Sequence, residues 1–289
     1  MEPIVLLACY SAALFGISLA GGALPQRFTM THTRTQLAMS LVSGLMLGIA
    51  FFHLLPHAVL ALETGPGLSV AMAWVVLGLV VMLLLLRMLH FHQPDYPMEE
   101  SDCDHAHSHG HGSEVHHANA SWRSVLIGLS FHTLIDGIAL GAAFLAAPHG
   151  HSEELLAFGV FLAILLHKPL DAMSITALMK AGGTPERARQ RANLLFAVVC
   201  PVGALAFYAY GSSLGEGSAT FVAPALAFSA GAFICIALSD LLPEVQFHSH
   251  DRLKLTAVFL LGIVVSYLLA GVGKGHSHGA VLAAVSAIQ

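Results

Sequence analysis

Charged residues are scarce in this sequence. Asp, Glu, Lys and Arg together form 10% of its 289 residues, whereas soluble domains carry about 25%. Lys and Arg number only 12 and the formal net charge is −5, so no basic surface for nucleic acid is expected. The four cysteines include no CxxC pair, and no disulfide framework is expected. The composition, 56% hydrophobic with a mean hydropathy of +0.75, indicates a polytopic membrane protein.

Long apolar runs occupy most of the chain. Runs of about 20 such residues predict transmembrane helices, and the sequence contains eight of them. They lie at roughly residues 3–24, 36–61, 68–90, 122–147, 154–180, 192–213, 218–245 and 253–273. The first run has no basic segment before it and is long for a signal peptide, so we expect a true span. The sequence predicts an all-α membrane protein in which residues 1–289 form a single transmembrane domain.

Basic residues are concentrated on one side of the predicted spans. Ten Lys and Arg occur in one set of alternate loops, only Lys274 occurs in the other set, and Lys168 lies within a span. Because Lys and Arg in short loops favour the cytoplasmic side, both termini are predicted to lie outside. No organelle signal is visible, and we expect a plasma membrane or a bacterial inner membrane.

The longest loop, residues 91–121, joins the third and fourth spans and is predicted to be cytoplasmic. Its Pro, Ser, Gly and acidic residues favour disorder. Alternating histidines in such a segment are typical of labile metal binding, without the fixed spacing of a structural zinc site. The candidate ligands in this loop are Cys103, His105, His107, His109, His111, His116 and His117.

A tandem repeat places histidine and aspartate inside two consecutive spans. The segments FHTLIDGIALGAAF and LHKPLDAMSITALM align at a shift of 35 residues, so that His132 and Asp136 correspond to His167 and Asp171. Residues i and i+4 share a helix face, and a short loop makes the two spans antiparallel neighbours with both histidines at similar depth. Four side chains are therefore expected to converge. Imidazole and carboxylate together suit Zn²⁺, Fe²⁺, Mn²⁺ or Co²⁺.

Lys168 directly follows the second histidine of this repeat. An ammonium inside a membrane must be paired or neutral. One interpretation is that Lys168 occupies the place of a second cation and makes the centre mononuclear. The other is a structural ion pair with Asp136, Asp171 or Asp240 that locks spans together, and both can hold. Pro169 is expected to break the helix and so orient the ligands.

A second, more distant repeat relates the second span to the seventh. GLMLGIAFFHLLPH aligns with GAFICIALSDLLPE at a shift of 187 residues, with six of 14 positions identical. His53 then corresponds to Asp240 and His57 to Glu244. Because the two spans are predicted to run in opposite directions, the alignment indicates an inverted-topology repeat, which is typical of secondary transporters. The first three and last three spans are predicted to flank the hairpin of spans four and five.

Further candidate ligands lie in the second span. His53 and His57 form either a metal relay at the outer end of the span or a pair of interfacial histidines. Met46 lies seven residues before His53 on the same helix face. Its thioether is a possible soft ligand, but methionine in an apolar span is more often a packing residue.

The chain resembles the ZIP (Zrt-, Irt-like protein) family of divalent-metal transporters over essentially its whole length. The segments FHLLPH and SDLLPE are similar to the family's second- and seventh-span motifs. HTLIDGIALG and HKPLDAMS are similar to its fourth- and fifth-span motifs. The resemblance implies ligand roles for His132, Asp136, His167 and Asp171, with Asp in place of the usual Glu in both spans.

The resemblance also bears on four other positions. It implies that Met46 contributes a ligand from the second span and that Asp240 is the acidic position of the seventh. Thr133 stands where the family often has Asn, and Lys168 stands where it often has an acidic residue. Both positions belong to the second metal of a binuclear centre in the family. We therefore expect one metal, with the Lys168 ammonium replacing the other.

The function implied by the resemblance is movement of Zn²⁺, or of a similar ion such as Fe²⁺, Mn²⁺ or Cd²⁺, toward the cytoplasm by alternating access. The family also implies a homodimer, no organic cofactor and no enzymatic activity. Two alternatives differ in class. A cation diffusion facilitator exports metal but has six spans, and an intramembrane zinc hydrolase would use the same cluster. The segment HLLPH lacks the Glu of the HExxH metalloprotease motif.

Overall fold

The computed structural model of the chain describes residues 2–27, 32–61, 67–90, 114–146, 151–247 and 252–274, some helix ends by their backbone alone. Every regular element in these ranges is helical. The helices are α1 Pro3–Arg27, α2 His32–Ile49, α3 Leu55–Leu60, α4 Gly67–His90, α5 Glu114–Leu145, α6 His151–Ala181, α7 Glu186–Ser213, α8 Ser218–Phe247 and α9 Arg252–Lys274. A π-helical turn, Ala50–Leu54, joins α2 to α3, and a 3₁₀ turn, Gly215–Gly217, joins α7 to α8.

Eight membrane spans result from these elements, as the apolar runs predicted. The described part of the chain contains eight helical segments long and apolar enough to cross a bilayer, with α2, the π-helical turn and α3 forming the second. Two helices, α5 and α7, begin about six to eight residues before their apolar runs. The helix α5 begins at Glu114, so the last residues of the predicted disordered loop are helical, and α7 begins at Glu186. The rest of that loop, residues 91–113, lies outside the described residues.

Proline has different effects in the three motif-bearing spans that contain it. The π-helical turn ends just before Pro56, where the backbone N–H of Leu55 bonds to the carbonyl of Ala50 instead of to the usual fourth residue back. In α6, by contrast, the helix continues through Pro169, so the expected break there is wrong. The helix α8 likewise continues through Pro243. A continuous helix leaves fewer backbone groups without partners in lipid than a break would.

The helices pack in two groups. In one, α1 contacts α6 and α7, and α5 contacts the same two helices. In the other, α2 contacts α8 and α9, and α4 contacts α8. Contacts of α5 with α8 and of α6 with α9 join the groups. The helices that carry the tandem repeat, α5 and α6, are therefore enclosed by neighbours from both groups.

Glycine allows close approach at two helix crossings of the second group. A Cβ atom at Gly44 of α2 would meet the carbonyl oxygen of Phe259 in α9, and one at Gly262 of α9 would meet that of Leu41 in α2. Small residues at such crossings let helix backbones touch in a membrane.

The crossing of α4 with α8 has the same construction. A Cβ atom at Gly231 would meet the carbonyl oxygen of Val75, and one at Gly78 would meet that of Phe228. The residues of the two crossings correspond position by position, with α2 mapping onto α8 at a shift of 187 residues and α4 mapping onto α9 at a shift of 184. This correspondence supports the predicted internal repeat, whose inverted orientation stays a prediction.

Candidate metal site

The tandem repeat builds a single buried cluster between α5 and α6. His132 and Asp136 lie one turn apart on α5, and His167 and Asp171 lie one turn apart on α6. One ligand atom from each of the four lies within 4.8 Å of all the others. His132, Asp136 and His167 are buried, and only Asp171 keeps partial exposure, at 17% of its side chain. The convergence predicted from the spacing is therefore confirmed.

The four His-to-Asp separations within the cluster lie near those of a tetrahedral centre. The Nε2 atom of His132 lies 3.5 Å from Oδ2 of Asp136 and 3.6 Å from Oδ2 of Asp171. The Nε2 atom of His167 lies 3.2 Å and 3.9 Å from the same two oxygens. Ligand atoms bound tetrahedrally to Zn²⁺ at about 2.0–2.1 Å lie roughly 3.3–3.4 Å from one another. A single ion can thus contact all four side chains with small adjustments.

The imidazole of His167 is oriented for ligation by its own helix. Its Nδ1 donates to the backbone carbonyl of Ala163 over 2.8 Å. A ring N–H engaged in this way leaves Nε2 with the lone pair, which is the arrangement found in metal-binding histidines. That Nε2 atom is the one that faces Asp136 and Asp171.

Several polar atoms of the cluster are buried without a hydrogen-bond partner among the described residues. They are Nδ1 of His132, Oδ1 of Asp136 and Oδ2 of Asp171. Burial of such atoms is costly unless something satisfies them. Of the three, Oδ2 of Asp171 faces Nε2 of both histidines, so a divalent cation held among the four side chains would satisfy it, and the donor set fits a metal.

Lys168 lies inside the cluster rather than beside it. Its ammonium donates to Oδ2 of Asp136 over 2.7 Å and to the Thr133 hydroxyl over 2.8 Å, and it lies 3.7 Å from Oδ2 of Asp171. The Lys168 side chain is 1% exposed. The expected pairing with Asp136 is therefore present, and both carboxylates of the cluster face the ammonium as well as the histidines.

The structure gives less information about the remaining predicted site residues. Met46 is buried in the main hydrophobic core, and its ligand role stays a prediction. Thr133 is buried and bonded to Lys168. Asp240 and Glu244 lie on α8, where only the backbone is described. In the loop, Cys103, His105, His107, His109 and His111 lie outside the described residues, and His116 and His117 are described by their α5 backbone alone.

The two histidines of the second span are held by backbone carbonyls. His53, in the π-helical turn, donates from Nε2 to the carbonyl of Ser266 in α9 over 3.1 Å. His57 donates from Nδ1 to the carbonyl of His53 over 2.7 Å. The imidazole of His53 lies against α6, where a Cβ atom at Gly159 would be 3.5 Å from the ring. These bonds orient both rings, and a relay role stays a prediction.

Two residues of α7 near the site were not identified from the sequence. The ring of Phe196 lies under the Lys168 ammonium, with Nζ 5.4 Å from the ring centroid, a cation–π contact. Asn193, one turn earlier, donates to the carbonyl of Leu19 in α1 over 3.1 Å. A polar residue within a span is a recognisable signal for Asn193, whereas nothing in the sequence distinguishes Phe196 from other apolar residues of α7.

Comparison with known proteins assigns the family. The sequence model of the ZIP zinc transporter family matches residues 4–270. This chain belongs to the ZIP family of zinc transporters. Zinc transporter ZIP9-A of Xenopus laevis is 30% identical to it, over 95% of this chain and 96% of the relative. Zinc transporter ZIP9 of Macaca fascicularis is 35% identical over 53% of this chain and 67% of the relative.

Membership of the ZIP family decides between the classes considered from the sequence. The eight spans and the family match are not those of a cation diffusion facilitator, so that alternative is wrong. The ZIP family consists of transporters rather than enzymes, which argues against the hydrolase. The chain is an integral multi-pass membrane protein with a buried His/Asp cluster suited to a metal ion.

Proposed function

We propose that this ZIP protein carries a divalent metal ion, Zn²⁺ in the first instance, across the membrane toward the cytoplasm. Its transport site is the cluster of His132, Asp136, His167 and Asp171. One observation carries the proposal: the four His-to-carboxylate distances, 3.2–3.9 Å, lie close to the edges of a zinc tetrahedron.

The bound ion is single, and Lys168 takes the place of a second. Its ammonium already engages Asp136, Thr133 and, at longer range, Asp171. A second divalent ion in that position would meet a fixed positive charge only a few ångströms away, at a depth where little water screens the repulsion. Lys168 is therefore both an ion-pair partner and a cation surrogate, and the two sequence interpretations describe one arrangement.

Transport proceeds by alternating access, with the group of α1, α5, α6 and α7 moving against the group of α2, α4, α8 and α9. The matched glycine crossings of α2 with α9 and of α4 with α8 support a second group that moves as one unit. Met46, His53, His57, Asp240 and Glu244 are assigned to the metal pathway at the boundary of the groups. The π-helical turn at His53 lies against α6, at this boundary.

The surroundings of the membrane domain follow the sequence expectations. Both termini lie outside, and residues 91–121 face the cytoplasm, where their histidines and Cys103 receive or sense the delivered ion. The active unit is a homodimer in a plasma membrane or a bacterial inner membrane. The uneven distribution of Lys and Arg over the loops supports this orientation.

Direction is tested in cells that express the full chain together with a cytoplasmic zinc sensor. External zinc should raise the sensor signal, and the double variant His132→Ala/His167→Ala, expressed at equal level in the same membrane, should not. A signal that instead falls faster in cells expressing the unmodified chain would show export and contradict the proposed direction.

A further inference from the structure

A groove at the membrane boundary lies outside the metal site and has no role in it. It is formed where the start of the apolar part of α5, the end of α6 and the beginning of α7 meet, and its volume is about 560 Å³. We call it the α5–α6–α7 groove. The residues that define it here are Trp122, Leu126, Met179, Arg187, Arg191 and Leu195.

The floor of the groove is apolar and open to the bilayer. Met179 is 1% exposed and belongs to a hydrophobic cluster against which Trp122 and Leu126 pack. Leu195, on the same groove, is 71% exposed within an apolar span. A leucine so placed faces acyl chains, so the groove is continuous with the lipid.

The rim of the groove is basic on one side. Arg187 and Arg191 are exposed, lie four residues apart and therefore share a face of α7. Within the described part of the chain, neither guanidinium has a carboxylate within ion-pair distance. Arg189 differs, because it donates to the carbonyl of Thr184 and lines a separate cavity with Asn193. The charge on this rim thus comes from two specific arginines.

Trp122 lines the groove. The Nε1 atom of Trp122 is buried and has no hydrogen-bond partner among the described residues. Trp122 also begins the apolar part of α5, and Arg123 lies over its ring at 5.4 Å from the centroid. Tryptophan and arginine in this position are typical of the headgroup level of a membrane.

We propose that the α5–α6–α7 groove binds an anionic phospholipid. The phosphate accepts hydrogen bonds from Arg187 and Arg191, and an acyl chain lies along Leu126, Met179 and Leu195. Basic pockets between transmembrane helices on the cytoplasmic side are suited to anionic headgroups, and the proposed orientation places this end of the helices there. The groove is formed by the same three helices that carry the metal ligands, Lys168 and Phe196.

Tryptophan fluorescence tests the proposal on the full chain, because the sequence has only two tryptophans. In Trp74→Phe, Trp122 is the sole fluorophore, and in Trp122→Phe the sole fluorophore is Trp74 on α4. Each is reconstituted in phosphatidylcholine vesicles containing either brominated phosphatidylglycerol or brominated phosphatidylcholine. Quenching of Trp122 should show a preference of at least about five-fold for the anionic lipid, the effect of one arginine near a charged headgroup. Trp74 should show none.

Arginine variants identify the side chains that cause the preference for anionic lipid at Trp122. In the Trp74→Phe chain, Arg187→Gln/Arg191→Gln should reduce the preference to near one, and the matched control Arg189→Gln should leave it unchanged. Equal preference at both tryptophans, no preference at Trp122, or equal loss in the Arg189→Gln control would each overturn the proposal. So would removal of the preference by inorganic phosphate but not by sulfate of equal ionic strength, which would indicate a site for free phosphate. The comparison of Trp122 with Trp74 needs no arginine substitution and stands if those variants do not fold.

Discussion

Thr133 and Lys168 occupy the same position in the two copies of the tandem repeat, and the Lys168 ammonium donates to the Thr133 hydroxyl over 2.8 Å. The histidines before them also face each other, with ring centroids 5.4 Å apart. Equivalent positions of α5 and α6 thus meet across their interface. The two copies differ at this position, with threonine in one and lysine in the other. The cluster therefore contains one fixed cation.

The first prediction concerns the number of bound ions. Lys168→Glu removes the fixed cation and restores the acidic residue that the ZIP family often has there. We expect the zinc content of the purified, equilibrated chain to rise from one toward two per chain, measured by inductively coupled plasma mass spectrometry. Lys180→Glu, which makes the same charge change at the end of α6, should keep the content at one. If a folded Lys168→Glu protein still held one zinc, Lys168 would serve only as a structural ion-pair partner and would not replace a second metal ion.

The second prediction separates the two aspartates. Asp136→Asn and Asp171→Asn should each weaken zinc binding by more than the ~10–100-fold typical of residues that only support a ligand. Only Asp136→Asn should also lower the stability substantially, by about 3–5 kcal/mol, because it leaves the buried Lys168 ammonium without its 2.7 Å partner.

Adding Lys168→Met to Asp136→Asn should recover most of that stability without recovering zinc binding. Zinc titration by calorimetry and thermal unfolding in detergent measure the two effects separately. Equal destabilisation by Asp171→Asn and Asp136→Asn would contradict this prediction, because the closer pairing of Lys168 with Asp136 would then add nothing to the stability.

The third prediction concerns the glycine crossings. Gly44→Ala and Gly231→Ala would each place a Cβ against a backbone carbonyl, and overpacking of this kind typically costs ~1–3 kcal/mol. We expect both variants to unfold at lower temperature in detergent, by similar amounts because the two crossings are equivalent. Gly16→Ala in α1, where no described atom other than the nearby backbone of α1 lies within 4 Å of the added Cβ, should be neutral or stabilising. A loss of stability equal to that of Gly44→Ala in this control would argue against the crossings as the cause.

The spans and the metal cluster could be predicted from the sequence because each follows from a local rule. Apolar runs long enough for a bilayer identified the eight spans, and the i, i+4 spacing in two copies placed His132 with Asp136 and His167 with Asp171. The depth of the two histidines followed from the short connection between the spans.

Features that depend on packing between helices were not predictable in this way. The rotation of α7 that brings Phe196 under Lys168 is set by its neighbours, not by a pattern in α7 itself. The break expected at Pro169 was wrong because one missing hydrogen bond costs less in lipid than an interrupted helix. The anchoring of His53 to Ser266, 213 residues away in sequence, likewise required the fold.

The central claim is that the cluster between α5 and α6 moves metal across the membrane. The most direct test is zinc uptake into proteoliposomes of the purified chain, with His132→Ala/His167→Ala reconstituted at the same protein content. The account predicts saturable uptake by the unmodified chain and none above the background of empty liposomes in the double variant. Zinc binding without flux by well-folded, correctly inserted protein, or equal flux in the double variant, would contradict it.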